Sequence, residues 1–203
     1  MNYYISDLHL FCTSQTQAGV NYDHRPFANV EEMHAHFLSR WNTKVTNSDT
    51  VYILGDIALR GRHTPLVGLV AQLKGKKILV KGNHDDLSDY RYTKLFEEIV
   101  DYKELSDTIN GEAYKLVLSH YPILMWKNQH HGTILLYGHT HNTAEDTFFQ
   151  KCIAEMNDSE DQRLRRHSDK KIFAINVGAC MPWINYEPRT LKEIFQRWGY
   201  NEE

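Results

Sequence analysis

Nine side chains in five short stretches carry the chemistry of this sequence. They stand in Ile5-Ser6-Asp7-Leu8-His9, Tyr52-Ile53-Leu54-Gly55-Asp56, Ile78-Leu79-Val80-Lys81-Gly82-Asn83-His84-Asp85, Val117-Leu118-Ser119-His120 and Leu135-Leu136-Tyr137-Gly138-His139-Thr140-His141. Each stretch runs from apolar residues into Asp, Asn or His. That is a β-strand ending where α/β folds place their chemistry, in the crevice beyond the carboxyl ends of the strands. A single Asn-His-Asp turn is commonplace, but five strand ends delivering oxygen and imidazole donors are hard to explain as packing. In extended chain, residues i and i+2 share a face, so Asp7 and His9 can grip one ion. Imidazole and carboxylate together suit borderline divalent ions. The pattern reads as a metal site.

The elements that must position these donors can be read around them. Residues 2–6 form a first strand, and residues 10–28, with Gly19, Asn21, Asp23 and Pro26, a turn-rich active-site loop. Asn29 and Glu32 stand in the relation of a helix cap to its third residue, opening a helix to about Val45. Its Met33, Phe37, Leu38, Trp41 and Val45 keep helical spacing. A strand follows at 50–54, then a helix to about Leu73 with Pro65 in its first turn. A third strand is expected at 77–81 and a short helix at 92–99. Asn110-Gly111 marks a two-residue hairpin between strands 100–109 and 112–118. Another strand covers 133–137. Residues 143–171 carry no readable period, and the mixed charges of 157–171 suggest a solvated excursion. A strand at 171–177 and a helix at 190–198 close the chain. Strands alternating with helices, then a run of strands, imply an α/β fold with mixed sheets. No repeat or linker divides residues 1–203, so one domain is expected.

Composition narrows the function. The 203 residues carry a net charge of -3, with 41% hydrophobic and 24% charged residues, the profile of an ordinary soluble protein. No broad grip on nucleic acid or an anionic membrane is expected from that charge. No apolar run approaches a membrane span, and the start of the chain reads as a strand rather than a signal peptide. Cys12, Cys152 and Cys180 are odd in number and lack paired spacing, which argues against a disulfide framework and for a reducing, cytoplasmic setting. Twelve histidines leave ample material for a metal centre beyond surface use.

The order Asp7-Leu8-His9, Gly55-Asp56, Gly82-Asn83-His84, His120, Gly138-His139-Thr140-His141 resembles the calcineurin-like metallophosphoesterase superfamily. All five blocks occur in family order, and Arg25-Pro26-Phe27 and Asn176-Val177-Gly178 add to a likeness with small bacterial and phage members. The resemblance implies two mixed β-sheets packed as a sandwich flanked by helices. It implies two divalent ions, manganese favoured, with iron, zinc or nickel also suited. One ion would take Asp7, His9, Asp56 and His141; the other Asp56, Asn83, His120 and His139, with Asp56 bridging. Such a pair activates a bridging hydroxide for in-line attack on phosphorus and neutralises phosphoryl charge. His84 resembles the family histidine that contacts phosphate and protonates the leaving oxygen, with Asp85 as its orienting partner.

Arg25 and Arg60 are candidate phosphate binders. The phosphoprotein phosphatases of the superfamily carry a second Asp in Gly-Asp-x-x-Asp-Arg-Gly, and here Leu59 stands in its place. That departure moves the expected substrate toward small or nucleotide-like phosphoesters. A different class of function, a catalytically silent metal-binding scaffold, should show lost ligands; all seven positions and His84 are intact.

Overall fold

The computed structural model describes residues 1–59, 63–161 and 170–200. Arg60 and most of the charged segment 157–171 therefore lie outside the described residues. In chain order the elements are β1 (Asn2–Ile5), α1 (Val30–Lys44), β2 (Thr50–Ile53), α2 (His63–Val70), β3 (Lys76–Val80), α3 (Tyr90–Thr93), β4 (Glu98–Val100), β5 (Tyr102–Ile109), β6 (Glu112–Ser119), β7 (Ile134–Tyr137), α4 (Ala144–Asp158), β8 (Ala174–Asn176) and α5 (Leu191–Trp198).

Two four-stranded sheets organise the chain, in the orders β1-β2-β3-β4 and β5-β6-β7-β8. The four strands of the first sheet run parallel. In the second, β5 and β6 form the antiparallel hairpin while β6, β7 and β8 are parallel. Asn110 and Gly111 both take positive φ, 52° and 91°, as the tight hairpin turn demands. Beyond β1, Ser6 N–H donates to the Val177 carbonyl (2.9 Å) and Ala179 N–H to that of Ser6 (2.8 Å), which stitches the two sheets together at the end that carries the donors.

The alternation of strand side chains explains the layers. On β6 and β7, Leu116, Leu118, Ile134 and Leu136 enter the main core, while Val117, Leu135 and Tyr137 turn the other way. There they meet Phe149, Ile153 and Met156 of α4. Between the sheets, the rings of Tyr4 and Tyr52 stack at 5.4 Å, and Tyr4 Oη–H donates to Asp107 of β5 (2.7 Å). The buried Met33, Phe37 and Trp41 of α1 and Leu191, Ile194 and Phe195 of α5 complete the main core. Asn29 caps α1 by accepting from Glu32 N–H (2.9 Å), and Thr190 caps α5 in a reciprocal box with Glu193.

Two local expectations need correction. The helix expected at 92–99 is only Tyr90–Thr93, because Glu98–Val100 pairs with β3 as an edge strand. Pairing with a neighbouring strand outweighed a helical pattern of only a few residues. The unreadable stretch contains α4, capped by Thr143 and buried through Phe149, Ile153 and Met156. Its acidic and polar intervening residues hid the apolar face.

Candidate metal centre

The site is built from strand ends. Asp7 and His9 follow β1, Asp56 follows β2, Asn83 and His84 follow β3, His120 follows β6, and His139 and His141 follow β7. Because β1–β3 and β6–β7 are parallel within their sheets, these carboxyl ends gather along one edge of the sandwich. Five of these residues hold the left-handed φ that side chains rarely adopt: Asp7 at 56°, His9 at 48°, Asp56 at 52°, His139 at 71° and His141 at 50°. Such backbone costs on the order of 1–3 kcal/mol per residue and survives only where surroundings enforce it. Here they do. Asp7 N–H donates to the Gly55 carbonyl (3.1 Å), His9 N–H to that of Asp56 (3.0 Å), and His139 N–H to Asp7 Oδ2 (3.0 Å).

The glycines at these strand ends serve two different purposes. Gly55 does take positive φ, 87°. Gly82 and Gly138 are instead needed for room. A Cβ on Gly82 would lie 2.2 Å from Asp56 Oδ1, and one on Gly138 would lie 1.9 Å from Ser6 Oγ and 2.5 Å from Asp7 Oδ2. The carboxylates pass directly over these backbones.

Among the described residues the strand-end donors form two clusters, and a further group, Asp23, His141 and Cys180, shares His141 with the first. Asp7, His9 and His141 offer atoms within 4.8 Å of one another, and so do Asp56, His120 and His139. Asp56 Oδ2 lies between them, 3.8 Å from His9 Nε2, 3.6 Å from His120 Nε2 and 3.9 Å from His84 Nε2. Asn83 Oδ1 stands 3.1 Å from His120 Nε2. His120 gives its Nδ1–H to the Leu54 carbonyl (2.8 Å), so in the neutral ring Nε2 faces Asn83 Oδ1 lone pair to lone pair. His9 Nε2 and His141 Nε2 face each other likewise at 3.1 Å. Converging acceptors of this kind are costly unless a cation or proton lies against them. His9 Nδ1 is buried with no hydrogen-bond partner among the described residues. The donor set is that of hard and borderline divalent ions, and it fits them.

Electrostatics divides the clusters. Burial drives the His9 ring well below its ordinary pKa, helped by the positive charge of Arg25 and by His141. Burial pushes His141 the same way, but its Nδ1–H donates to Asp23 Oδ2 (2.8 Å) and Cys180 lies beside it, and these carry its pKa up to about 10. The 3.1 Å between His9 Nε2 and His141 Nε2 leaves room for one proton or one cation to be held by the pair. Half-buried His139 is lowered by desolvation and then by His120.

The supporting residues are where the sequence reading needs amendment. Arg25 is not a phosphate binder: it is wholly buried, with Nε on Asp23 (2.9 Å), Nη1 on the Leu8 carbonyl and Nη2 on the Asp7 carbonyl (2.7 Å each). It braces the Asp7–His9 turn from behind. Asp85 does not orient His84. Its two oxygens accept from the N–H groups of Asp56 (2.9 Å), Ile57 (3.0 Å) and Gly82 (2.9 Å), tying the ends of β2 and β3 together, and burial raises its pKa despite those bonds. The His84 side chain, 41% exposed, lies over Asp56 with its backbone N–H on Asp56 Oδ1 (2.9 Å).

Sequence reasoning missed Asp23, which orients His141 while paired to Arg25. Only its place in a loop after the first donor block hinted at this. Asn176 was seen in a motif but without a role; its Nδ2 donates to Asp146 Oδ1 (2.8 Å), Thr140 Oγ1 and the His141 carbonyl (3.1 Å each), which pins the His139–His141 turn. Of the aromatic residues flanking the site, Tyr121 sets its exposed ring 4.7 Å from that of His139 and 4.9 Å from that of His120. Trp126 is structural, buried against α4 with Nε1–H on the Thr133 carbonyl.

The calcineurin-like phosphoesterase family profile matches residues 3–174. The chain belongs to that family. It is 31% identical over 147 residues to the protein MJ1445 of Methanocaldococcus jannaschii, covering 72% of each chain. It is 30% identical over 129 residues to the Gene 66 protein of Mycobacterium phage D29, spanning 65% of that protein. The fold of AQ665 from Aquifex aeolicus, a protein of unknown function, superposes with a TM-score of 0.63 over 97% of this chain and 98% of that one, at 24% identity. Family membership and the two donor clusters together make this a metal-dependent phosphoesterase at the level of the family. No helix among the described residues is long and apolar enough to cross a membrane.

Proposed function

We propose that residues 1–203 form one catalytic domain that hydrolyses small or nucleotide-like phosphoesters with two divalent ions, manganese favoured. The observation that carries this reading is Asp56, whose Oδ2 stands 3.6–3.9 Å from imidazole nitrogens of His120, His9 and His84. Asp7, His9, Asp56 and His141 would hold one ion; Asp56, Asn83, His120 and His139 the other. Ions held there supply Lewis acidity, making a nucleophile of water near neutral pH and offsetting phosphoryl charge.

The remaining work falls to the chain. His84, half-exposed above Asp56, holds a proton at Nε2 and delivers it to the leaving oxygen. Its backbone bond to Asp56 fixes its height over the centre. Asp23 and the Leu54 carbonyl hold His141 and His120 in the tautomers that present Nε2 to an ion. Leu59, where phosphoprotein phosphatases carry an Asp, favours small esters over phosphoproteins. The setting proposed is cytoplasmic.

The test is metal analysis of protein purified without chelator, paired with cleavage of bis-p-nitrophenyl phosphate and of the monoester under added Mn²⁺. Close to two ions per chain with turnover supports the reading, and the ratio of the two rates assigns diesterase or monoesterase. Ions bound without turnover of either ester would favour a silent scaffold. Failure to bind Mn²⁺ would overturn the reading.

A further inference from the structure

Beside the enclosed Asp7–His9–His141 cluster, donors converge from three separate segments of the chain. Asp23 of the loop after β1, His141 beyond β7 and Cys180 beyond β8 offer oxygen, nitrogen and sulfur within 4.8 Å of one another. We propose that Asp23, His141 and Cys180 form a third cation site, selective for thiophilic divalent ions of the zinc and cadmium class, whose occupation inhibits the neighbouring catalytic position. The inhibitory role rests on the hydrolase reading above; the site itself does not. His141 turns Nδ1 toward Asp23 Oδ2 (2.8 Å), whereas its Nε2 faces His9 Nε2 (3.1 Å) and Asp7 Oδ1 (3.7 Å). The two sites therefore use opposite edges of one imidazole ring.

Sulfur sets the selectivity. The donors proposed for the catalytic ions are oxygen and nitrogen, which suit manganese, whereas a thiolate beside imidazole and carboxylate favours softer ions. Donor atoms around a tetrahedral zinc stand roughly 3.3–3.8 Å apart, so these three close round one ion after shifts of about an ångström or less and leave a fourth place for water. The backbone holds them ready. Ala179 N–H on the Ser6 carbonyl (2.8 Å) and Met181 N–H on the Gly178 carbonyl (2.9 Å) fix the chain on either side of Cys180. Asn176 Nδ2 holds the His141 carbonyl (3.1 Å). Asp23 keeps Arg25 through Oδ1 (3.1 Å) when Oδ2 turns to the ion. The entering ion displaces two protons to solvent, from Nδ1 and Sγ, so the charge facing Arg25 is unchanged. A dication at Nδ1 repels one at Nε2 across the ring, and it removes the Nδ1–H bond to Asp23 that orients that ligand. The neighbouring position loses affinity for its ion.

The sequence holds three cysteines, so Cys12→Ser/Cys152→Ser leaves Cys180 as the sole thiol. Cd²⁺ added to this protein under Mn²⁺ should raise the ultraviolet charge-transfer band of a cadmium–thiolate bond, which oxygen and nitrogen donors do not give. Adding Cys180→Ser should abolish the band, and adding Asp23→Asn should raise the Cd²⁺ needed for half of it by on the order of tenfold or more. The wild-type chain set against Cys180→Ser alone reads the same difference if the buried Cys12→Ser change impairs folding. Turnover of bis-p-nitrophenyl phosphate should fall as the band rises, and Cys180→Ser should raise the Cd²⁺ that halves turnover by about 5- to 150-fold, the usual range of coupling between sites. No band at saturating Cd²⁺ would overturn the site, as would a band indifferent to Asp23→Asn, the mark of a lone thiol. Equal inhibition with and without Cys180 would overturn the inhibitory role and place the Cd²⁺ effect at the catalytic clusters. The band is read without ester. No turnover under Mn²⁺ alone would therefore remove the hydrolase reading and the inhibitory role with it, and the band would still decide the site.

Discussion

The two donor clusters differ in what stands behind them. Behind Asp7, His9 and His141 lies a wholly buried ion pair, Asp23 with Arg25, and every cluster member is buried. Behind Asp56, His120 and His139 stand the Leu54 carbonyl, which holds His120, and the buried Asp85 carboxylate, which holds the Asp56 N–H, while His139 is half-exposed. An enclosed cluster holds an ion's ligands in place; an open one leaves a face for substrate. We propose a division of labour between the two clusters, one retaining an ion and the other working on substrate, with Asp56 shared between them.

Breaking the shared member should have the largest effect. Asp56→Asn should lower metal content at both positions and reduce turnover by on the order of 10³-fold or more, since it removes charge where ions are needed. Elemental analysis beside the bis-p-nitrophenyl phosphate assay checks this, and full occupancy in the variant would break the idea of a shared ligand. His84→Ala should cut kcat by about 10²–10⁴-fold with metal content intact, the usual worth of a proton donor. If it instead emptied the site, His84 would belong among the ligands.

Asp23→Asn sharpens the contrast, because it touches only the enclosed cluster. It should weaken one of two metal-binding events by about 10–100-fold and leave the other near its original affinity, as calorimetric titration with Mn²⁺ would resolve. Equal weakening of both would erase the distinction. The smallest effect is in pH. His141 in the metal-free protein holds its proton up to about 10, above its ordinary value, so its bond to Asp23 contributes stability below pH 6.5 that is lost as pH rises through about 10. An ion at that position must displace this proton, so its affinity should rise about tenfold per pH unit across the neutral range. Proton release measured in buffers of different ionisation enthalpy tests it.

Much of the fold was legible because its signals are short-ranged. The Asn29 cap, the Asn110-Gly111 turn and the apolar strands each depend on residues a few positions apart, and the structure has all three. The edge strand Glu98–Val100 was not legible, because its state was decided by β3 rather than by its own propensity. Nor was α4, whose apolar face shows only once the outer side of β6 and β7 is there to receive it. The arginines divide similarly: Arg25 looked available for phosphate as a charged loop residue, and only the packed turn of Asp7–His9 reveals it as a buried brace.

By itself the sequence determined the kinds of donor and the strand ends that deliver them, since a carboxylate or imidazole two residues beyond a strand is a local fact of the chain. The tertiary structure decided how those donors are held. His141 meets Asp23 across 118 residues and Asn176 across 35, and Asp56 meets Asp85 across 29. Such pairings arise only when sheets stack and loops close over them, because no periodicity or spacing in the chain encodes a contact between distant segments.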